Sequence, residues 1–394
     1  MSELMPMFER MCLLAGVVAV FTGCDADGAD GADTGNTVDV VDAVGSDAGE
    51  SVGLETASDT IGETVAPGPI VVGPRACCLT MVGDLVVWSD DGDLFAWDPA
   101  SNRKEPLVTG PGIQKDPILG GSAGETLIWA DNRAGDFDLW TMQLTPVRGE
   151  PRLLRGGAGD QDQPVMEGTR LVWIGRDLAP HTPREAEVFT LDLAVPGSER
   201  QLTSDSYEQT QPDVSGSRIV WADFAHSPDA MYIDVADPLR NNADIFGWDL
   251  AADGQFIVTE EPTKQLRPAI HGETVVWLDW RGINPEPKYS EFQVFARRLS
   301  ETGPASERRL AWSSWSRPEL WRRPAISDDL VVFIAEPSTP GTGFVTGLLA
   351  VSIDGGSPWL VAGSPSVLDS VAVGGGKAAF VGAGAIGRVE LRAR

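Results

Sequence analysis

Basic residues are scarce in this chain, which has 30 Lys and Arg against 58 Asp and Glu and a formal net charge of −28. Nucleic-acid binding requires clustered Lys and Arg that neutralise phosphates, so we expect no nucleic-acid partner. Histidine is nearly absent. Its three positions are too scattered to predict a catalytic triad or a histidine metal site: His181, His226 and His271.

Cysteine is also rare, and its four positions do not form a disulfide framework. Cys12 and Cys24 belong to the N-terminal leader, whereas Cys77 and Cys78 are adjacent. Neighbouring Cα atoms lie about 3.8 Å apart, which is below the usual range for a disulfide. Two buried thiols are therefore favoured at Cys77 and Cys78, and a vicinal disulfide is the alternative.

The leader contains no apolar run long enough to cross a bilayer. The run Met11–Phe21 has only eleven residues and is typical of a signal peptide. The following Thr22-Gly23-Cys24 places small residues before a cysteine, so residues 1–23 resemble a bacterial lipoprotein signal peptide. That resemblance implies acylation of Cys24, a membrane anchor and a place in the cell envelope, on the periplasmic side or the cell surface. An ordinary cleaved signal peptide is the alternative.

Residues 24–68 lack the composition of a folded segment. Between Asp25 and Ala66 there are eleven acidic residues and no Lys or Arg. Such a segment buries too little apolar surface to offset its chain entropy. We expect a disordered acidic linker.

The rest of the chain is repetitive. Seven short apolar runs end in an aromatic residue, called the anchor here, and successive anchors lie 41 to 56 residues apart. The anchors are Trp88, Trp129, Trp173, Trp221, Trp277, Phe333 and Phe380. Five residues before each anchor stands Gly or, once, Asp328, as a tight hairpin turn requires.

Each repeat contains four short runs typical of strands, separated by turn residues. A four-stranded unit with this period is typical of a propeller blade. We therefore predict an all-β fold: a monomeric seven-bladed β-propeller of four-stranded antiparallel blades over residues 69–394. The segment Pro69–Val72 has the pattern of a fourth strand, which the seventh repeat lacks. We expect it to complete the last blade and cover its exposed edge.

The repeats carry the motifs G-x-x-V-V-W-x-D and D-N-R-x-G-x-x-D-L-W, the latter from Asp131 to Trp140. With Arg-Gln-Leu-Thr and Gln-Pro-x-Val, these motifs resemble TolB-type propeller repeats over roughly residues 69–394. The resemblance implies an envelope protein whose propeller binds partners. The last two repeats lack the Asp after the anchor, and a tether replaces the N-terminal domain of TolB.

Strand order predicts that the long insertions open on one face, called the mouth here. Aromatic side chains in loops are common anchors of recognition surfaces. The predicted ligand-binding residues are Tyr207, Tyr232, Trp280, Tyr289, Trp312, Trp315 and Trp321. The alternative is that each packs beneath its own loop.

Oxygen-rich side chains are dense in one of these insertions. Asp229, Asp234 and Asp237 would suit Ca²⁺, although their spacing matches no known calcium loop and a solvated acidic loop is the alternative. No other cofactor is expected. Asp90, Asp131, Asp223 and Asp279 each stand two residues after an anchor, where we expect turn capping rather than a channel site.

Catalytic patterns are weak. Gly120-Gly-Ser122-Ala-Gly124 matches a nucleophile elbow but falls in a predicted β-hairpin, whereas that motif needs a strand-to-helix turn. We therefore expect no enzyme, but a lipid-anchored binding or scaffold module for an envelope protein, peptide or glycan. The alternative is an envelope polysaccharide hydrolase or lyase that uses loop carboxylates.

Overall fold

A computed structural model describes residues 70–73, 75–98, 102–121, 123–176, 186–225, 242–281, 290–301, 306–315, 322–335, 346–364, 368–382 and 385–391. In these ranges the chain forms seven four-stranded antiparallel sheets and no α-helix. The predicted seven-bladed β-propeller is confirmed. No helix within the same ranges is long and apolar enough to span a bilayer. Residues 1–69, including Cys24, the predicted signal peptide and all of the predicted linker, lie outside the described residues.

Blades 1 to 4 follow one another along the chain, each running from the innermost to the outermost strand. Blade 1 contains β2 (Cys77–Val82), β3 (Leu85–Asp90), β4 (Asp93–Asp98) and β5 (Arg103–Val108). Blade 2 contains β6 (Gln114–Gly120), β7 (Thr126–Asp131), β8 (Asp138–Gln143) and β9 (Arg152–Arg155). Blade 3 contains β10 (Gln161–Glu167), β11 (Arg170–Arg176), β12 (Ala186–Asp192) and β13 (Arg200–Gln201). Blade 4 contains β14 (Gln209–Ser215), β15 (Arg218–Asp223), β16 (Asp244–Asp249) and β17 (Gly254–Thr259).

Blades 5 to 7 complete the ring. Blade 5 contains β18 (Gln265–His271), β19 (Thr274–Asp279), β20 (Ser290–Arg298) and β21 (Glu307–Trp315). Blade 6 contains β22 (Ala325–Ser327), β23 (Leu330–Ala335), β24 (Thr346–Ser352) and β25 (Trp359–Ser364). Blade 7 contains β26 (Leu368–Gly374), β27 (Lys377–Gly382), β28 (Ala385–Glu390) and β1 (Ile70–Val71). Each innermost strand contacts the innermost strands of both neighbouring blades, including β26 with β2, so the ring is closed.

The anchors stand in the second strand of each blade and form the core between blades. Trp88, Trp129, Trp173, Trp221 and Trp277 are fully buried, and Phe333 nearly so. Three of the tryptophans stack on a phenylalanine of the third strand, as Trp173 does on Phe189 with 5.5 Å between ring centroids. Stacked cross-strand aromatics add to the burial of apolar area, so each blade is held both within its sheet and against its neighbour.

The hairpin between the first and second strands adopts the predicted turn chemistry. All six glycines that stand five residues before an anchor have positive φ, between 57° and 70°. Asp328 takes the same place in blade 6 with φ of 50°. These positions require left-handed backbone, which glycine adopts without cost and aspartate tolerates.

The ring closes with the N-terminal strand, as expected. Ile70 pairs with Ile386 and Val71 with Ala385, so β1 is the outer strand of blade 7. Ile70 is 7% exposed and packs against Val381 and Ile386, whereas the side chain of Val71 is 81% exposed.

This contrast gives a matched pair of variants within one strand. We expect Ile70→Ala to lower the free energy of unfolding by about 2 kcal/mol, because it removes buried apolar volume from the blade that closes the ring. Val71→Ala should change it by less than about 0.5 kcal/mol. Urea unfolding measures both. Equal effects of the two substitutions would show that β1 does not pack as described.

Candidate functional site

The aspartates that follow the anchors are structural. In blades 2, 4 and 5 the anchor indole donates to this aspartate: Trp129, Trp221 and Trp277 bond Asp131, Asp223 and Asp279, each at 2.9 Å. The other carboxylate oxygen accepts the backbone N–H two residues further on, at 2.8 to 2.9 Å. The expected turn capping is confirmed for these three aspartates. Asp90 instead accepts the backbone N–H of Gly73 at 2.8 Å and the ammonium of Lys104 at 2.9 Å.

Blade 3 replaces this aspartate with Gly175. There the indole of Trp173 donates to Gln161 Oε1 at 2.8 Å. A Cβ at position 175 would lie 2.9 Å from that oxygen and 2.7 Å from the ring of Phe189, so the glycine makes room for the glutamine. The same buried bond is therefore formed by a different partner.

The innermost strands line the central channel. A polar residue stands ten positions before the anchor of every blade, counted without the three-residue insertion of blade 2; it lies in the innermost strand except in blade 6, where it precedes β22 by two residues. Five of these residues have φ between 50° and 59° and interrupt the ladder to the second strand as a β-bulge. In blades 2 to 6 proline follows directly, and proline is tolerated at a bulge because it has no N–H to lose. We call these seven residues the bulge ring: Cys78, Asp116, Gln163, Gln211, Arg267, Arg323 and Ser370.

Side chains of the bulge ring bond the backbone of the next blade. Gln163 Oε1 accepts the N–H of Gln211 at 2.8 Å, and Gln211 Oε1 accepts that of Arg267 at 2.8 Å. Asp116 accepts the N–H of Gln163. Deeper in the channel Asp213 accepts the N–H of Ile270 at 2.8 Å. The contacts all run from one blade to its successor. They satisfy the N–H groups that the bulges free at Gln163, Gln211 and Arg267, and the N–H of Ile270, which lies in the regular ladder.

Asp116 is a carboxyl of the channel with a raised pKa. It is 8% exposed, and burial raises its pKa to about 6, opposed in part by the ammonium of Lys115 and by a hydrogen bond from the thiol of Cys78. Its Oδ2 accepts no hydrogen bond and lies 3.9 Å from Lys115 Nζ. A carboxyl with this pKa changes charge near neutral pH.

A buried ionic cluster connects blades 2, 3 and 4 beside the bulge ring. Asp162 is its centre, with Lys115 Nζ at 3.2 Å and Arg176 at 2.9 Å, and Arg176 also contacts Glu208 at 3.5 Å. Burial acts to raise the pKa of Asp162, but the two cations outweigh burial and hold it below its usual value. Burial raises the pKa of Glu208, because Arg176 only partly compensates. The cluster fixes four charges near the channel mouth.

Arg323 extends across the channel from blade 6. Its Nη2 donates to the carbonyl oxygen of Pro212 in blade 4 at 2.9 Å, past the intervening blade. Burial lowers its pKa, and the carboxylates of Asp213 and Asp116 offset this in part without lying within 4 Å of the guanidinium.

The predicted aromatic site is described only at two of its seven side chains. Tyr207 is half-buried in the segment between β13 and β14, on the mouth face. Trp280 is 3% exposed and packs against Phe292, with 6.3 Å between ring centroids, so it lies in the core beneath its loop. The side chains of Tyr232, Tyr289, Trp312, Trp315 and Trp321 lie outside the described residues, as do Asp229, Asp234, Asp237 and Ser122.

Within the described ranges no three His, Cys, Asp or Glu side chains are grouped to hold a metal ion. Cys77 and Cys78 stand at the channel with Sγ atoms 2.8 Å apart. The bulge ring and the ionic cluster were missed in the sequence. The bulge ring could have been found from the sequence, because a polar residue stands ten positions before every anchor when the insertion of blade 2 is left out.

Solved structures that resemble this chain are propellers of diverse function. A puromycin-hydrolysing peptidase of Mycobacterium tuberculosis is 13% identical with a TM-score of 0.56, over 80% of this chain and 52% of the peptidase. An oligogalacturonate lyase in complex with manganese is 13% identical with a TM-score of 0.51, over 78% of this chain and 85% of the lyase. A TolB described as putative, from Agrobacterium tumefaciens, is 14% identical with a TM-score of 0.45, over 61% of this chain and 83% of the TolB.

At these identities the similarity establishes the propeller fold alone. No protein-family model matches the chain. No curated protein matches it either.

Proposed function

We propose that this protein is a non-catalytic binding module of the cell envelope, anchored through a lipid on Cys24, whose protein, peptide or glycan partner docks over the channel mouth. The observation that supports this most is the rigid polar lining of the mouth. Side chains of the bulge ring are held by the next blade, and the charges of the ionic cluster are held by each other. Preorganised polar groups favour binding because little order is lost on association.

The sequence supports a location in the cell envelope. The leader resembles that of a bacterial lipoprotein, and the repeats resemble those of TolB-type propellers. The insertions with Tyr232, Tyr289 and Trp321 would supply aromatic contacts around the mouth.

The alternative is a polysaccharide hydrolase or lyase. It is favoured by one feature, the pKa of Asp116 near 6, which suits a general acid at neutral pH. An enzyme of this kind requires a second acid or base within reach of the same substrate. The nearby carboxylate of Asp162 is instead bonded to Lys115 and Arg176.

The two faces of the propeller allow a direct test in intact cells. A photo-crosslinking amino acid replaces either Tyr207 on the mouth face or Val147, which is 76% exposed on the turn between β8 and β9 at the opposite face. We expect one discrete crosslinked product from position 207 and none from 147. With Cys24→Ser the protein should leave the membrane fraction. Crosslinks of equal yield from both faces would contradict docking at the mouth, and cleavage of the captured ligand by wild type but not Asp116→Asn would establish the enzyme.

A further inference from the structure

In blades 5 and 6 the channel lacks the side-chain acceptors that cap backbone N–H groups in blades 2 to 4. In blades 2 to 4 the bulge-ring side chain accepts an N–H of the next blade. Blades 5 and 6 carry Arg267 and Arg323 at this position, and a guanidinium has no acceptor. At the deeper position, where Asp213 accepts an N–H in blade 4, blades 5 and 6 carry Ala269 and Ala325.

The N–H groups that these substitutions leave uncapped are in blades 6 and 7. By repeat equivalence with Arg267 and Ile270, they belong to Arg323 and Ile326 in blade 6 and to Val373 in blade 7, whereas Ser370 pairs with Val381 in the ladder of its own blade. In the part of the chain that the structure describes, no side chain of the preceding blade accepts from any of the three. All three residues are partly buried. A poorly solvated N–H group without an acceptor is costly, and a bound acceptor relieves that cost.

Arg323 is a cation in the same sector without a carboxylate in contact. Of its five N–H donors, one is used, in the bond to Pro212. Arg323 is half-buried. Placing a guanidinium in a poorly solvated channel without an ion pair destabilises a fold, so its presence calls for a reason outside folding.

From this sector we propose a carboxylate-binding site in the channel, formed by the Arg323 guanidinium and the backbone N–H groups of Arg323, Ile326 and Val373, which no described side chain of the preceding blade caps. A carboxylate presents two acceptor oxygens in the plane of a guanidinium and matches its paired donors. A monoanion suits the site better than a phosphate dianion, because Asp213 and Asp116 already place negative charge near Arg323. The bulge ring stands near the mouth end of each inner strand, so a group entering from the mouth reaches it first.

This inference rests on the proposed function, since it assigns the chemical group that a partner would insert. The test uses N-acetylglycine and N-acetylglycinamide, which differ only by a carboxylate against a neutral amide, with inorganic phosphate at matched ionic strength. Calorimetry at pH 7.5 on the folded chain should show N-acetylglycine binding at least about tenfold more tightly than the amide, as a charge-assisted bidentate contact provides. Arg323→Gln should lose that preference. Arg200→Gln, which removes an exposed arginine paired with Asp253 away from the channel, should retain it.

A stability measurement separates a binding role from a structural one. We expect Arg323→Gln to unfold at the same or a higher temperature than wild type, because it removes an unpaired, half-buried charge while keeping a donor for Pro212. Equal affinity for acid and amide, absence of binding, or an unchanged preference in Arg323→Gln would overturn the site. Tighter binding of phosphate would overturn the carboxylate assignment. If N-acetylglycine shows no Arg323-dependent binding while position 207 still crosslinks at the mouth, the carboxylate site is wrong and the proposed function stands.

Discussion

Replacing Asp162 with asparagine should lower the free energy of unfolding by about 3–5 kcal/mol. The carboxylate lies between two buried cations, and its removal leaves Lys115 and Arg176 in a poorly solvated place with only the longer contacts to Asp116 and Glu208. Breaking one member of a buried ionic group costs this much because the remaining charges lose their compensation. Urea unfolding at pH 7 measures the change. An unchanged slope of the unfolding free energy against urea concentration would show that wild type and variant expose the same surface on unfolding.

The matched control is an ion pair of similar length at the surface. Arg200 contacts Asp253 at 2.6 Å with both side chains largely in solvent, so Asp253→Asn should cost less than about 1 kcal/mol. Adding Lys115→Met to Asp162→Asn should restore part of the lost stability, because it removes one uncompensated cation. A loss below about 1 kcal/mol for Asp162→Asn would mean that the three side chains are not buried together.

The second large effect concerns pH. Burial raises the pKa of Asp116 from 3.8 to about 6, so the folded state binds this proton more tightly than the unfolded chain. The contribution of the group to stability is therefore fully present below pH 3.8 and is lost as the pH rises to about 6. A shift of this size corresponds to roughly 3 kcal/mol, to order of magnitude.

Asp116→Asn keeps the shape of the side chain and an oxygen for the N–H of Gln163 but cannot titrate. The difference in unfolding free energy between wild type and the variant should change by about 2.4 kcal/mol from pH 4 to pH 7, in favour of the variant at the higher pH. Denaturant titrations at four pH values measure it. Parallel curves for the two proteins would show that Asp116 ionises normally in the folded state.

The fold could be predicted because its determinants are local and repeated. The anchor and the turn five residues before it recur seven times, and four short runs recur in the first six repeats. Even Asp328 adopts the positive φ expected of a glycine position. Closure by residues 70–71 could be predicted because the seventh repeat is one strand short. The repeat period therefore predicts the number of blades and the closure of the ring, even where the residues between the repeated positions differ.

The candidate site could not be predicted in the same way, since its members are distant in the chain. Lys115 and Asp162 are 47 residues apart, and Asp162 and Glu208 belong to different blades. Whether they meet depends on how the bulges turn the innermost strands, which side-chain alternation alone does not show. Trp280 shows a different limit of sequence analysis. Its position in a loop predicts ligand binding at the mouth, with packing beneath the loop as the alternative, and its side chain is buried among apolar residues of blades 5 and 6.

The two-residue strand at Ile70 and Val71 links the closure of the ring to the order in which the chain is synthesised. These residues leave the ribosome before the body of the propeller, but β28, their partner, ends at Glu390. Six blades can be completed while translation continues, whereas the seventh waits until the last strand emerges. Closure of the ring is therefore the last step of its assembly, and until then the apolar sides of the first and last blades stand open to water and to chaperones.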